Sequence, residues 1–217
     1  STAKNIVKVV EALERVDEEG KEDPDYLAVK EILNGLLEKG DSLRSYDRSV
    51  MWSYWAYLYA IEENYLKAAE AHKQLLAEPE STIPLRLNSL YALAQISLQL
   101  GNLKEGVEFL LQWMDEVEVI TAQGWSLLGT AYYQLGTGSK LESEKLDFCE
   151  KAIESMLNAV QIAEVEQYKP KENWYTITAS CYSSLKPRIG KEESLNKQLE
   201  IYEILVNLFP KKVYFTN

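Results

Sequence analysis

The chain reads Trp125-Ser126-Leu127-Leu128-Gly129-Thr130-Ala131-Tyr132 at residues 125–132. Its Trp, its second Leu and its Tyr are spaced three and four residues apart, so they share one stripe of a helix. Gly129 lies on the same stripe and has no side chain, which lets a neighbouring helix approach closely. The segment therefore predicts a helix that packs tightly against a partner helix.

A suitable partner helix follows in the sequence, where Ala152, Met156 and Ala159 repeat an A-x₃-F-x₂-A pattern. A helix pair of this kind cannot bury its apolar stripe alone and has to stack on similar pairs. The first segment, written W-x₂-L-G-x₂-Y, resembles the first helix of a tetratricopeptide (TPR) repeat. The resemblance implies an all-α, right-handed TPR superhelical solenoid of about five helical hairpins.

The composition is that of a folded protein with an acidic surface. The chain has 217 residues, of which 46% are hydrophobic and 26% are charged, and its net charge is −11. Nucleic acid and anionic lipid both attract clustered Lys and Arg, so the charge balance argues against either as a partner. No apolar run approaches the ~20 residues that span a bilayer.

The spacing of equivalent residues tests the repeat assignment. Trp52 and Leu90 are 38 residues apart, and Leu90 and Trp125 are 35 apart, close to the TPR period of ~34 residues. Trp125 and Trp174 are 49 residues apart, which is too many for one repeat. The excess indicates a polar insertion at the turn within a hairpin, and a second polar insertion divides the following hairpin.

These observations predict a single solenoid domain with four parts. The insertions are either ornaments or an added contact surface, and the sequence leaves both open. The parts are a degenerate N-terminal helical hairpin at 1–46, four TPR-like repeats at 47–210, insertions near 137–150 and 187–195 within those repeats, and the start of a truncated further repeat at 211–217.

The sequence contains no recognisable catalytic or metal-binding constellation. Its one histidine, His72, occupies a packing position in a second helix and is expected to be a core or half-buried residue. The motifs C-x-x-C, H-E-x-x-H and G-x-x-x-x-G-K-[ST] are absent. We therefore expect a non-catalytic protein that has no cofactor and no metal.

Two cysteines are too few for a disulfide framework. Cys181 falls on the apolar stripe of its helix, which favours a buried, inert thiol. A bridge between Cys149 and Cys181 is the alternative in an oxidising compartment.

The concave groove lined by the first helices is the predicted binding surface. Its residues are nearly uncharged and rich in tyrosines and amides, which are common on recognition surfaces. The alternative is that the tyrosines only pack between repeats. The candidate partner-binding residues are Tyr57, Asn88, Tyr91, Gln95, Gln99, Thr130, Tyr133, Gln134, Tyr175 and Tyr182.

The same face has almost no Lys or Arg. TPR co-chaperones that hold the carboxyl-terminal tails of heat-shock chaperones use Lys, Arg and Asn there to satisfy a terminal carboxylate. A clamp of that kind is not expected in this chain.

A narrower resemblance appears in the last third of the chain. The segments Tyr168-Lys169-Pro170-Lys171-Glu172-Asn173-Trp174-Tyr175 and Phe209-Pro210-Lys211-Lys212-Val213-Tyr214-Phe215 are similar to motifs of bacterial TPR proteins described as components of TonB energy-transduction systems. The resemblance implies a periplasmic adaptor whose partners are subunits of a TonB–ExbB–ExbD-type complex.

Two other roles remain open at this point. One is an assembly factor or chaperone-like adaptor for outer-membrane or pilus subunits, and the other is a regulatory domain of a larger enzyme. Self-association into a homo-oligomer is also compatible with the sequence.

Overall fold

A computed structural model describes residues 2–211. Within them the chain forms helices joined by short connections, and no strand is present beyond one isolated bridge between Val16 and Glu22. The all-α prediction is confirmed. The helices are α1 (Thr2–Leu13), α2 (Tyr26–Leu37), α3 (Ser45–Ile61), α4 (Tyr65–Ala77), α5 (Ile83–Gln99), α6 (Leu103–Glu116), α7 (Ala122–Gly138), α8 (Glu142–Val165), α9 (Glu172–Ser184), α10 (Lys186–Ile189) and α11 (Lys191–Leu208).

The chain packs as two compact units, Ser1–Leu100 and Gly101–Asn217. Unit 1 contains α1 to α5 and unit 2 contains α6 to α11. The single solenoid domain stays a prediction. Beyond Lys211, the predicted start of a further repeat at 211–217 lies outside the described residues.

Unit 1 is built from two helical hairpins, α1–α2 and α3–α4, with α5 packed against α4. The side chains of Asp25 and Asn64 accept hydrogen bonds from backbone N–H groups of the first turns of α2 and α4, which fixes where these helices begin. The core lies between the hairpins, and its fully buried members include Leu33, Leu36 and Met51. This core holds α3 against α2 and α4.

Unit 2 contains the α7–α8 pair, for which the sequence predicted close packing at Gly129. A Cβ atom added to Gly129 of α7 would lie 3.0 Å from Met156 Cε and 3.2 Å from the Ala152 carbonyl oxygen of α8. Met156 and Ala152 are both fully buried. The prediction that Gly129 permits close helix packing is therefore confirmed.

The first insertion is not a polar loop. α7 continues to Gly138 and α8 begins at Glu142, so nearly all of the extra chain at 137–150 extends these two helices. Leu146 and Cys149 are buried, and Phe148 Cβ lies 3.2 Å from the Cβ position at Gly136. The sequence indicated a polar insertion at the turn within a hairpin, but three apolar side chains give this segment a helix face that packs on α7.

The second insertion contains α10 and a glycine hinge. Gly190 has φ +89° and ψ 161°, a backbone conformation that side-chain-bearing residues rarely adopt, and α11 starts directly after it. Arg188 of α10 pairs with Asp147 at 2.9 Å and with Glu150 at 2.8 Å, both in the extended part of α8. The paired residues are 41 and 38 positions apart in sequence, so the two insertions meet in space.

Candidate functional site

A cavity of about 450 Å³ opens between α3 and α5 in unit 1, with α4 at its base. None of its lining residues is charged. They are Ser53, Ala56, Tyr57, Ala60, His72, Leu85, Asn88, Ser89 and Ala92. We call this cavity the α3–α5 groove. Two of its residues, Tyr57 and Asn88, are among the partner-binding residues predicted from the sequence.

The floor of the α3–α5 groove is polar but neutral. His72 Nδ1 and the Ser89 hydroxyl oxygen are 3.0 Å apart and share a hydrogen bond. Burial lowers the pKa of His72 to about 4, because a charged imidazolium would lose its hydration there. His72 is half-buried, as expected, and it carries no charge at neutral pH.

The rim of the groove presents accessible side chains on ordered helices. Tyr57 is 44% exposed, and burial together with the neighbouring Tyr26 of α2 raises the pKa of its hydroxyl. Asn88 is exposed on α5 and offers both a donor and an acceptor. The walls between rim and floor carry small residues, among them Ala60 and Ala92. The groove can therefore admit an apolar side chain and hydrogen-bond the backbone beside it.

The other predicted residues of unit 1 lie on α5 outside the groove lining. Gln95 and Gln99 are exposed, so their amides are accessible. Tyr91 is half-buried, and burial raises the pKa of its hydroxyl.

In unit 2 the predicted residues are engaged within the fold. The Tyr133 hydroxyl of α7 and the Ser180 hydroxyl of α9 are 3.1 Å apart and share a hydrogen bond. Thr130 donates from its hydroxyl to the Ser126 carbonyl oxygen at 2.8 Å. Gln134 is exposed and lines a separate cavity of about 430 Å³ beside the α7–α8 turn. The Tyr133 contact matches the alternative in which the tyrosines pack between repeats, whereas the Thr130 bond lies within α7 and Gln134 stays accessible.

The structure corrects the expected accessibility of Tyr175. Its side chain is 3% exposed and packs with Ala179 and Leu205 in the core between α9 and α11. Its ring centroid lies 6.4 Å from that of Phe209. Tyr182 is half-buried against the same cluster. α11 covers this face of α9, so Tyr175 has no surface to offer a partner.

Sequence reasoning did not assign Ser89 to the site and placed His72 only as a packing residue. The signal that could have indicated the groove is a set of small residues on facing helices. Ala56 and Ala60 are one turn apart on α3, and Ala92 follows Asn88 by one turn on α5. Small side chains on both walls leave space that larger ones would fill.

Within residues 2–211, no group of three or more His, Cys, Asp or Glu side chains is placed to hold a metal ion. None of the helices in that range has the length and apolarity to cross a membrane.

Similarity to solved structures identifies the fold. No protein-family model matches the chain, and no curated protein matches it. Among solved structures, MamA protein is similar with a TM-score of 0.60 and 13% identity, covering 95% of this chain and 97% of that chain. A kinesin light chain structure with nearly identical TPR-like repeats, from Podosopora anserina, is similar with a TM-score of 0.55 and 17% identity, covering 96% and 97% of the two chains.

At these identities the likeness concerns the fold. It confirms the predicted all-α TPR solenoid fold, and a resemblance to TonB-system proteins is not among the findings.

Proposed function

We propose that this protein is a non-catalytic scaffold that binds a protein partner in the α3–α5 groove. The observation that carries the proposal is the groove itself, an open and uncharged space with accessible side chains at its rim. TPR-like repeats are the fold shared with its structural neighbours. Recognition of a protein segment is the activity that suits a groove with no catalytic or metal-binding group.

The partner contact would combine apolar burial with backbone hydrogen bonds. The space between Ala60 and Ala92 fits one apolar side chain of the partner, and Tyr57 provides a large ring beside it. Asn88 can pair with a peptide N–H and a peptide carbonyl at once. Because the residues stand on helices that are already folded, little ordering cost opposes binding.

Charge narrows the class of partner. The groove lining has no Lys or Arg to meet a terminal carboxylate, and the whole chain carries a net charge of −11. A strongly acidic partner would be repelled during approach. The preferred partner is a neutral or basic segment with an exposed apolar side chain.

A filled-groove variant tests this mode of binding. Ala60 is exposed at the groove, so Ala60→Tyr should occupy the space without disturbing the core. A partner recovered by co-purification should bind the Ala60→Tyr variant at least about tenfold more weakly than the unmodified protein. This corresponds to a loss of ~1.4 kcal/mol in binding free energy. Ala77→Tyr changes an exposed alanine at the end of α4 and is the matched control. Equal partner affinities of the two variants, with unchanged melting temperatures, would refute the groove as the binding site.

We further propose a periplasmic setting beside a TonB–ExbB–ExbD-type complex. This proposal rests on the resemblance of 168–175 and 209–215 to TPR proteins of TonB systems. Co-purification with tagged protein tests it, and recovery of inner-membrane TonB-complex subunits is the expected result. Recovery of outer-membrane or pilus subunits in their place would favour an assembly factor. The Ala60→Tyr comparison is independent of which partner is recovered.

A further inference from the structure

The only two cysteines of the chain meet between neighbouring helices of unit 2. Cys149 lies on α8 and Cys181 on α9, and these helices pack against each other. Trp174 of α9 packs with Met156 of α8, and Cys181 and Cys149 each lie seven residues further along these packed helices, so the two thiols face each other. Cys149 is 3% exposed and Cys181 is fully buried. Because the chain has no third cysteine, these two facing thiols have one intramolecular disulfide available.

The surroundings make the two thiols unequal. The neighbouring Cys181 thiol lowers the pKa of the Cys149 thiol, and Ser184 and Lys145 act in the same direction. The Cys149 thiol in turn raises the pKa of Cys181, and burial raises it further. While α8 and α9 are packed, Cys149 is thus the more acidic of the two thiols, and at 3% exposed against 0% it is also the one nearer to solvent.

Other contacts hold the two helices in this register. Asp147 and Glu150 flank Cys149 on α8. Both pair with Arg188 of α10, which lies seven residues after Cys181. On the buried side, Trp174 of α9 packs with Met156 and Ala159 of α8. The separation of the two sulfur atoms is therefore fixed by contacts that do not involve them.

We propose that Cys149 and Cys181 form a reversible disulfide that joins α8 to α9. The oxidant is a small-molecule disulfide such as oxidised glutathione. The Cys149 thiolate attacks one sulfur of the oxidant, forms a mixed disulfide and releases one small thiolate. Cys181 then gives up its proton and attacks the Cys149 sulfur, which releases the second small thiolate. Two protein thiols are oxidised and one small disulfide is reduced to two thiols.

Burial determines when the reaction takes place. A dissolved oxidant has no path to thiols that are 3% and 0% exposed while α8 and α9 are packed. The reaction therefore takes place during folding, or during transient opening of the α8–α9 contact. Once formed, the bridge closes the chain between residues 149 and 181 and restricts the unfolded state, which raises stability.

Refolding in a glutathione redox buffer tests the proposal. The oxidised product should be monomeric and lighter than the reduced protein by the mass of two hydrogen atoms. Its melting temperature should exceed that of the reduced protein by about 5 °C, and dithiothreitol should abolish the difference. Oxidation of the folded protein should accelerate in mild denaturant, because opening of the α8–α9 contact limits the rate.

Two variants complete the test. Cys149→Ala and Cys181→Ala should each show no redox-dependent change in melting temperature. If one of them fails to fold, the mass and melting temperature of the unmodified chain still decide the matter. Cross-linked dimers, stable glutathione adducts on both cysteines, or a bridged monomer that melts at a lower temperature than the reduced protein would overturn the proposal.

Discussion

The α3–α5 pair of unit 1 and the α7–α9 pair of unit 2 use the same repeat position in opposite ways. Ala60 and Tyr133 each lie eight residues after the first aromatic residue of their repeat, Trp52 and Trp125. Ala60 lines an open groove, whereas Tyr133 shares a hydrogen bond with Ser180 of the next first helix. At this repeat position alanine leaves a groove open to a partner, whereas tyrosine closes the space between the two first helices.

The core behind these two pairs differs as well. Trp174, in the first turn of α9, is 1% exposed, whereas Trp52 of α3 and Trp125 of α7 are only half-buried. Packing of α9 in unit 2 therefore relies on its tryptophan more heavily than packing of α3 in unit 1 does.

The largest effect is expected for Trp174→Ala. Removal of a fully buried indole leaves a cavity against Met156 and Ala159, and should cost about 3–5 kcal/mol of unfolding free energy. Trp52→Ala should cost clearly less, because part of its ring is already in water. Urea unfolding followed by circular dichroism measures both. Equal losses would mean that the two units depend on this position to the same degree.

Acid should weaken unit 1 through His72, the only histidine of the chain. The native state favours neutral imidazole, since its pKa is about 4 when folded against ~6.5 when unfolded. The contribution is fully present above pH 6.5 and is lost as the pH falls towards 4. Between pH 7 and 5 the loss should be about 2 kcal/mol.

Denaturant unfolding at both pH values measures this loss, with His72→Gln as the control variant. The variant should lose less stability over the same range. A variant whose stability falls as steeply as that of the unmodified protein would assign the acid sensitivity to other groups.

Gly129→Ala should destabilise unit 2 by about 1–2 kcal/mol. The new methyl group would sit 3.0 Å from Met156 Cε and 3.2 Å from the Ala152 carbonyl oxygen, and the backbone oxygen has little freedom to move. Gly35→Ala is the matched control on the exposed face of α2, where nothing lies within 4 Å of the added Cβ. There alanine should raise stability by up to about 1 kcal/mol. Thermal melts that move in the same direction would contradict the close-packing interpretation.

The smallest effect is expected for the hydrogen bond that closes α7 against α9. Tyr133→Phe removes its hydroxyl and should cost about 0.5–1.5 kcal/mol. A double-mutant cycle with Ser180→Ala isolates the pair from other changes. Strict additivity of the two losses would show that the contact contributes nothing to the closure.

The sequence predicted the helices well because their apolar stripes are long and regular. It also predicted the close contact at Gly129, since no other residue type leaves such a gap. It could not predict that α11 covers Tyr175, because the repeat alignment gives the face of α9 and not the course of the chain after it. The helical extension at 142–150 was missed because its charges outnumber its apolar residues.

Only part of the α3–α5 groove could be predicted from the sequence. Tyr57 and Asn88 were selected by their repeat positions, and they do lie at its rim. The floor was not foreseen, because His72 and Ser89 come from different helices and their hydrogen bond depends on how α4 packs on α5. Contacts between helices are a property of packing, which periodicity alone does not contain.

The pairing of Arg188 with Asp147 and Glu150 has a consequence for protein engineering. Deleting α10 alone would leave two carboxylates beside each other on α8 without their guanidinium partner. Trimming the start of α8 alone would strand Arg188 in the same way. The two extra segments form one exchangeable module, which a designer of shortened or chimaeric repeats should transplant or remove as a pair.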